Sequence, residues 1–147
     1  EYVALHRNML TQAQRRMWLI CENINAPILN NEFFNQSVLQ LVKHNSQAEI
    51  RILLLDDKSG TGHFNPVINL AQRLSSFVEI RTLQGAGKIN EMITVVDFAA
   101  GIYRKNLNNH TGFATYNNYL IAQRLHENYD KHWQFARPSL ETRRLSL

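Results

Sequence analysis

The sequence predicts a single α/β domain in which helices flank a mostly parallel or mixed central sheet and a long helix closes the chain. Three observations carry that reading. Segments with helical periodicity alternate with short apolar runs through the first two-thirds of the chain, the order expected of helices packed on a sheet. The run Ile52, Leu53, Leu54 and Leu55 is continuously apolar, as a central strand covered on both faces should be. The 147 residues, 44% hydrophobic and 19% charged, suffice for one core and contain no biased linker, so residues 1–147 form one domain.

In chain order, residues 2–15 read as an opening helix and Met17, Trp18, Leu19, Ile20 and Cys21 as a buried strand, which Pro27 and the asparagines around it stop. Phe34, Val38, Leu41 and Val42 recur at helical spacing over residues 31–44, with Glu32 placed to complement the helix dipole. Residues 49–56 form the central strand. A third helix shows one face through Phe64, Val67, Ile68, Ala71 and Leu74 and stops at Ser75 and Ser76. Residues 78–83 alternate like a strand with one wetter face, and Gly85, Ala86 and Gly87 break it. Residues 93–98 and 101–104 read as two more strands, adjacent in the sheet. After an asparagine-rich loop, Ile121, Leu125, Tyr129 and Trp133 recur every four residues along the final helix, which Arg137 and Pro138 end.

Composition excludes several classes of function. No apolar run approaches the ~20 residues that cross a bilayer, so no membrane role is expected. Cys21 is the single cysteine, which rules out an intrachain disulfide and a cysteine zinc cluster and points to a reducing, cytoplasmic setting. Residue 1 is glutamate, with no basic and apolar leader after it, so the chain is expected to be an excised domain with something preceding it. The formal charge of +4 suits an acidic partner, yet the basic residues are spread along the chain. Nucleic acid is therefore allowed but not indicated, and would require Arg15, Arg16, Arg81, Arg104, Arg143 and Arg144 to converge on one face.

Candidate sites are few. Ser59, Gly60, Thr61, Gly62 and His63 follow the presumed carboxyl end of a parallel strand and precede a helix, the place where free backbone N–H groups hold anions and where α/β sheets put ligands. Arg81, with Arg104 as a third member, stands near the ends of neighbouring strands, where arginines grip phosphate-like anions. Asp56, Asp57 and His63 are types that ligate metals, but acidic residues and glycines after a strand are ordinary turn chemistry, so no metal or cofactor is assigned. Gly85, Ala86, Gly87 and Lys88 resemble the end of a phosphate-binding loop, but Thr82 stands where that motif needs glycine and Ile89 where it needs a hydroxyl. The sequons at Asn35 and Asn109 are discounted for want of a secretion signal. Tyr116, Tyr119, Tyr129, Trp133 and Phe135 could stack bases if exposed, although their spacing is that of a core stripe. Cys21 is expected to be an inert buried thiol.

The order of elements, the strand at residues 50–56, the helix start at Gly62 and His63, the segment 73–81 and the terminal Tyr129, Asp130, Lys131, His132 and Trp133 resemble one half of a phospholipase D-type fold. That family's motif is a histidine, a lysine two residues on and an aspartate five beyond. Two residues apart on a strand, histidine and lysine share a face, so the imidazole can attack phosphorus while the ammonium holds a phosphate oxygen. Setting Asp97 on the motif's aspartate places Asn90 at the histidine and Met92 at the lysine. None of the six histidines is followed two places on by lysine. The resemblance thus implies a degenerate, noncatalytic member with no catalytic residues. The chain is also similar to a bacterial family in which such a domain stands alone or follows a GNAT-type acetyltransferase domain, which implies an upstream acetyltransferase as one partner. Because paired halves complete one cleft in the family, it further implies a homodimer. The expected function is a noncatalytic binding or interaction module, with a phosphodiester hydrolase, a different hydrolase using His63, or a nucleic-acid-binding domain as alternatives.

Overall fold

The computed structural model of the chain describes residues 2–56, 65–83, 89, 91–105 and 111–138. Helix α1 (Tyr2–Thr11) leads into β1 (Arg16–Cys21), α2 (Glu32–His44), β2 (Glu49–Leu54), α3 (Pro66–Arg73) and β3 (Val78–Thr82). Then follow β4 (Met92–Val96), β5 (Ala100–Arg104), β6 (Gly112–Thr115), α4 (Tyr119–Gln134) and the two-residue β7 (Arg137–Pro138). Asparagines start three of the four helices. The Asn31 side chain accepts from the Phe34 N–H, Asn65 from Val67 and Ile68, and Asn118 from Ile121, each satisfying amides that a first helical turn leaves open. Pro66 at the first turn of α3 loses nothing, since its position needs no intrahelical donor.

The strands make one seven-stranded sheet in the order β6-β5-β4-β1-β2-β3-β7. β1, β2 and β3 run parallel, and β4, β5, β6 and β7 each pair antiparallel to their neighbour, so the sheet is mixed. β4 and β5 are adjacent, as expected. The opening helix ends at Thr11, four residues short of the predicted limit, because Gln14, Arg15 and Arg16 turn their N–H groups onto Asp97. β6 and β7 were not foreseen. β6 has little apolar alternation and is mostly exposed, and β7 is two residues paired to Arg81 and Thr82, so neither carries a pattern of its own.

Among the described residues, three helices cover one face and a single helix the other. α1, α2 and α3 bury Met9, Leu10, Phe34, Val38, Leu41, Val67 and Ile68 against Met17, Leu19, Ile50, Ile52, Val78 and Ile80. α4 buries Leu125, Tyr129 and Trp133 against Trp18, Ile20, Leu53, Ile93 and Val95. Gly101 permits that approach, because a Cβ there would lie 2.6 Å from Leu125 Cδ1 and 3.0 Å from the Thr94 carbonyl oxygen. No helix of the described residues is long and apolar enough to cross a membrane.

One polar group is locked inside the larger core. His6 is 1% exposed, with Nδ1 2.8 Å from the Tyr2 carbonyl oxygen and Nε2 2.7 Å from Thr94 Oγ1. A carbonyl only accepts, so Nδ1 carries the proton, and in the neutral ring Nε2 accepts from the threonine hydroxyl. Burial lowers the His6 pKa from 6.5 to about 4, with the bond to Tyr2 opposing. Between those two values the unfolded chain binds a proton that the folded chain refuses, so stability is complete above pH 6.5 and falls as the pH drops toward 4. We expect acidification across that window to remove about 3 kcal/mol of unfolding free energy through this residue, at ~1.4 kcal/mol per pH unit. Urea titrations at several pH values check it against His6→Gln, which keeps a side-chain amide near Thr94 without titrating. Parallel pH profiles for the two proteins would contradict the assignment.

Candidate functional site

The register sets which residues can meet. β1 and β2 run in step, Arg16 beside Glu49 and Cys21 beside Leu54, while β4 runs against β1, Leu19 beside Thr94 and Met17 beside Val96. The carboxyl ends of β1, β2 and β3 therefore share an edge with the start of β4 and the end of β5. This is the edge where the anion site and the phosphodiesterase motif were expected. Ser59, Gly60, Thr61, Gly62, His63 and Asn90 lie outside the described residues. Met92, at the position assigned to lysine, is 3% exposed and packs in the cluster that α4 closes, so it brings a thioether to the core and no charge to the edge.

Arg81 and Arg104 are not brought together. β4, β1 and β2 separate their strands, about 19 Å at the usual strand spacing. They also face opposite ways: Arg104 lies over the Tyr2 ring of α1, and Arg81 over the Trp133 ring of α4. The Arg81 guanidinium is already engaged, with Nε 2.7 Å from Glu79 Oε2 and a terminal nitrogen donating to the Trp133 carbonyl at 3.0 Å. The third member of the expected anion site is thus displaced by topology, since parity and strand order place it on the other side of the sheet.

Asp97 has a structural occupation. Its carboxylate accepts from the N–H groups of Gln14, Arg15 and Arg16, the shortest at 2.7 Å, its own N–H donates to the Arg16 carbonyl, and His126 donates to its carbonyl. It holds φ at +54°, the left-handed region that Asp tolerates better than most residues. It sits at the far end of β4 from Met92, about 17 Å away along an extended strand. A residue there splices the α1–β1 connection to the β4–β5 turn and cannot touch a reacting group at the other edge.

Sequence reasoning missed a cluster at the expected edge. Glu91 accepts from His132 Nε2 at 2.9 Å and from the Tyr103 hydroxyl at 3.1 Å. His132 lies near the end of α4, where its partnership with Glu91, the residue before β4, has no signature at a sequence distance of 41 residues. The described residues contain no group of three or more potential metal ligands.

The most extended feature is a ridge of alternating arginines and aromatic rings on the α4 face. Arg81 and Arg51 lie 4.3 and 5.1 Å from the Trp133 ring centre, Arg51 and Arg16 4.3 and 5.0 Å from that of Trp18, and Arg16 and Arg15 4.4 and 5.5 Å from that of Phe98. His126 tilts against Trp18 and stacks on Phe98, continuing the ring row. The arginines of β1, β2 and β3 lie over the rings of Trp18 on β1 and Trp133 on α4, adding cation–π attraction and stem packing beside the α4 seam. Trp18 and Trp133 are 7% and 3% exposed, so their faces are closed to further stacking.

Charge divides the ridge in two. At one end Arg51 is paired with Glu49 and Asp130, and Arg81 with Glu79. At the other end Arg15 and Arg16 form no ion pair with a described residue, because the Asp97 carboxylate is turned to backbone amides. Partial burial lowers the Arg16 pKa, with nearby Glu49 countering, and burial likewise lowers His126. Phe98, whose ring both Arg15 and Arg16 approach, is 43% exposed. Among the described hollows, the roomiest is an open groove of about 1010 Å³ between α1 and α2; its lining includes Phe33, Gln36, Gln40 and His44 but no Asp, Glu, Lys or Arg. Cys21 is buried, as expected, and that burial pushes its thiol pKa far up.

A family described as a domain of unknown function, DUF7931, matches residues 1–145. The chain belongs to this family. Among solved structures, this DUF7931 chain is similar to Nuc from Salmonella typhimurium, a phospholipase D family member, with a TM-score of 0.65 at 12% identity over 92% of this chain and 88% of that one. It is also similar to TrmBL2, an archaeal chromatin protein with a novel mode of DNA binding, with a TM-score of 0.67 at 14% identity over 92% of this chain. The chain spans half the length of TrmBL2. No curated protein matches it. At these identities the likeness establishes a phospholipase D-like fold for the DUF7931 domain.

Proposed function

We propose that this DUF7931 domain is a noncatalytic binding module that uses a phospholipase D-like fold as a scaffold. The observation that carries the reading is the fate of the two described motif positions. Where phosphodiester chemistry needs an ammonium, Met92 is buried, and Asp97, the one matching residue, binds three backbone amides at the opposite edge. A transfer through a covalent intermediate needs a nucleophile and a cation on one strand face, and neither Asn90 nor Met92 has the group required. Within this reading, a phosphate-like anion at residues 59–63, pairing as a homodimer and regulation of an attached acetyltransferase are further proposals.

A hydrolase reading has one observation in its favour, the imidazole of His132 held against Glu91, an arrangement that can orient a base. A chromogenic phosphodiester separates the two. We expect no turnover above background from the purified chain. Hydrolysis that disappears in His132→Ala or His63→Ala would overturn the noncatalytic reading and identify which imidazole works.

A further inference from the structure

We propose that the end of the ridge with no ion pair among the described residues, Arg15, Arg16 and Phe98 with His126 behind them, binds single-stranded nucleic acid. The inference deepens the reading of the chain as a binding module, but places the contact at the edge opposite the one where the phosphodiesterase motif would lie.

Two features converge there independently of the family likeness. Phe98 is nearly half exposed, beside the turn that Asp97 clamps, with His126 stacked 6.0 Å behind it at 12°, so the ring is held as a platform. Two guanidiniums, Arg15 and Arg16, lie over that same ring and have no carboxylate partner among the described residues. The ridge then continues diagonally across the strands. Arg16 stands beside Glu49 in register, Arg51 lies two residues further along β2 and beside Glu79, and Arg81 two further along β3. Successive Cα atoms on that diagonal are about 8 Å apart, by the spacing and rise of strands.

A ligand that satisfies this end must supply negative charge and a flat π-face together. Single-stranded nucleic acid does both, with phosphates for the guanidiniums and an unstacked base for the ring. Duplex DNA keeps its bases inside, and an acidic peptide would use the arginines while leaving Phe98 idle. Beyond Arg16 the ridge is self-neutralised by Glu49, Asp130 and Glu79, so Arg51 and Arg81 are expected to hold the row in shape and not to draw the strand.

The experiment is fluorescence anisotropy with a labelled oligothymidylate of roughly 12 nucleotides, within the span single-strand binders occupy. At low salt the chain should bind, and affinity should fall steeply as salt rises. Phe98→Ala should weaken binding about tenfold through the lost stacking, and Phe98→Trp should retain it. Arg15→Ala should weaken binding and shallow the salt dependence by about one released counterion. Arg81→Gln, at the paired end, should stay within about twofold of the parent. The proposal is overturned by no binding at low salt, by unchanged affinity in Phe98→Ala, by Arg81→Gln costing as much as Arg15→Ala, or by polyglutamate displacing the oligonucleotide on equal terms. Circular dichroism confirms that each variant is folded. Cleavage of the oligonucleotide would sink the noncatalytic reading and leave the location of this surface standing, so the two failures are distinguishable.

Discussion

Truncating Tyr129 to alanine is expected to lower the unfolding free energy by about 4 to 5 kcal/mol, the upper range for removing a large buried side chain. Its ring has no exposed surface and lies between Trp18, at 5.3 Å, and Trp133, at 6.0 Å. Its hydroxyl donates toward the carbonyls of Leu19 and Arg51, at 3.0 and 3.2 Å, tying α4 to β1 and β2. Burial, the largest cause, drives the phenol pKa well above its ordinary value, so it remains a donor throughout the working pH range. Tyr129→Phe separates the two contributions and should lose about 1 kcal/mol, the worth of an ordinary hydrogen bond. Chemical denaturation checks both. Equal losses in the two variants would show that the ring's packing is not what holds α4 down.

Asp97→Ala is expected to cost about 4 kcal/mol. Three charge-assisted bonds disappear, two of them to amides that water can partly satisfy, which leaves about 3 kcal/mol. Alanine at a φ of +54° adds about 1 kcal/mol of backbone strain. Asp97→Gly relieves the strain and not the bonds, so it should recover about the smaller part, and Asp97→Asn should fall between. Against a domain stability of about 5–15 kcal/mol the alanine variant loses a large share of its margin. If melting is unchanged, the aspartate does not splice α1 to the β4–β5 turn, and its place in the motif needs another explanation.

These two residues show how differently the sequence displayed its own structure. Tyr129 was legible: its spacing from Leu125 and Trp133 marks a stripe, and the structure buries all three. Asp97 was legible only as a motif letter, because its partners lie 81 to 83 residues earlier. Arg81 and Arg104 looked alike, each near the end of a strand. Nothing local says that one belongs to β3 and the other to β5, with three strands between and opposite parity. Nor did the aromatic stripe announce its arginines. Trp18, Arg51 and Trp133 come from three elements, and meet because strand register sets Trp18 beside Arg51 and α4 lays Trp133 across them.

The sequence by itself determined the α/β class, the alternation of elements, the four helices, the central strands and the apolar stripes, because hydrophobic periodicity and caps act over a few residues. It also displayed Asn90 and Met92 at the positions where the resemblance would set a histidine and a lysine, a matter of side-chain identity alone. Only the tertiary structure decided the strand order, the pairing of edge strands such as β6 and β7, the clamped role of Asp97, the meeting of Glu91 with His132 and which arginines of the ridge meet carboxylates among the described residues. Those depend on contacts between residues far apart in the chain, which form when helices pack onto the two faces of the sheet, and no local pattern encodes which charges then meet.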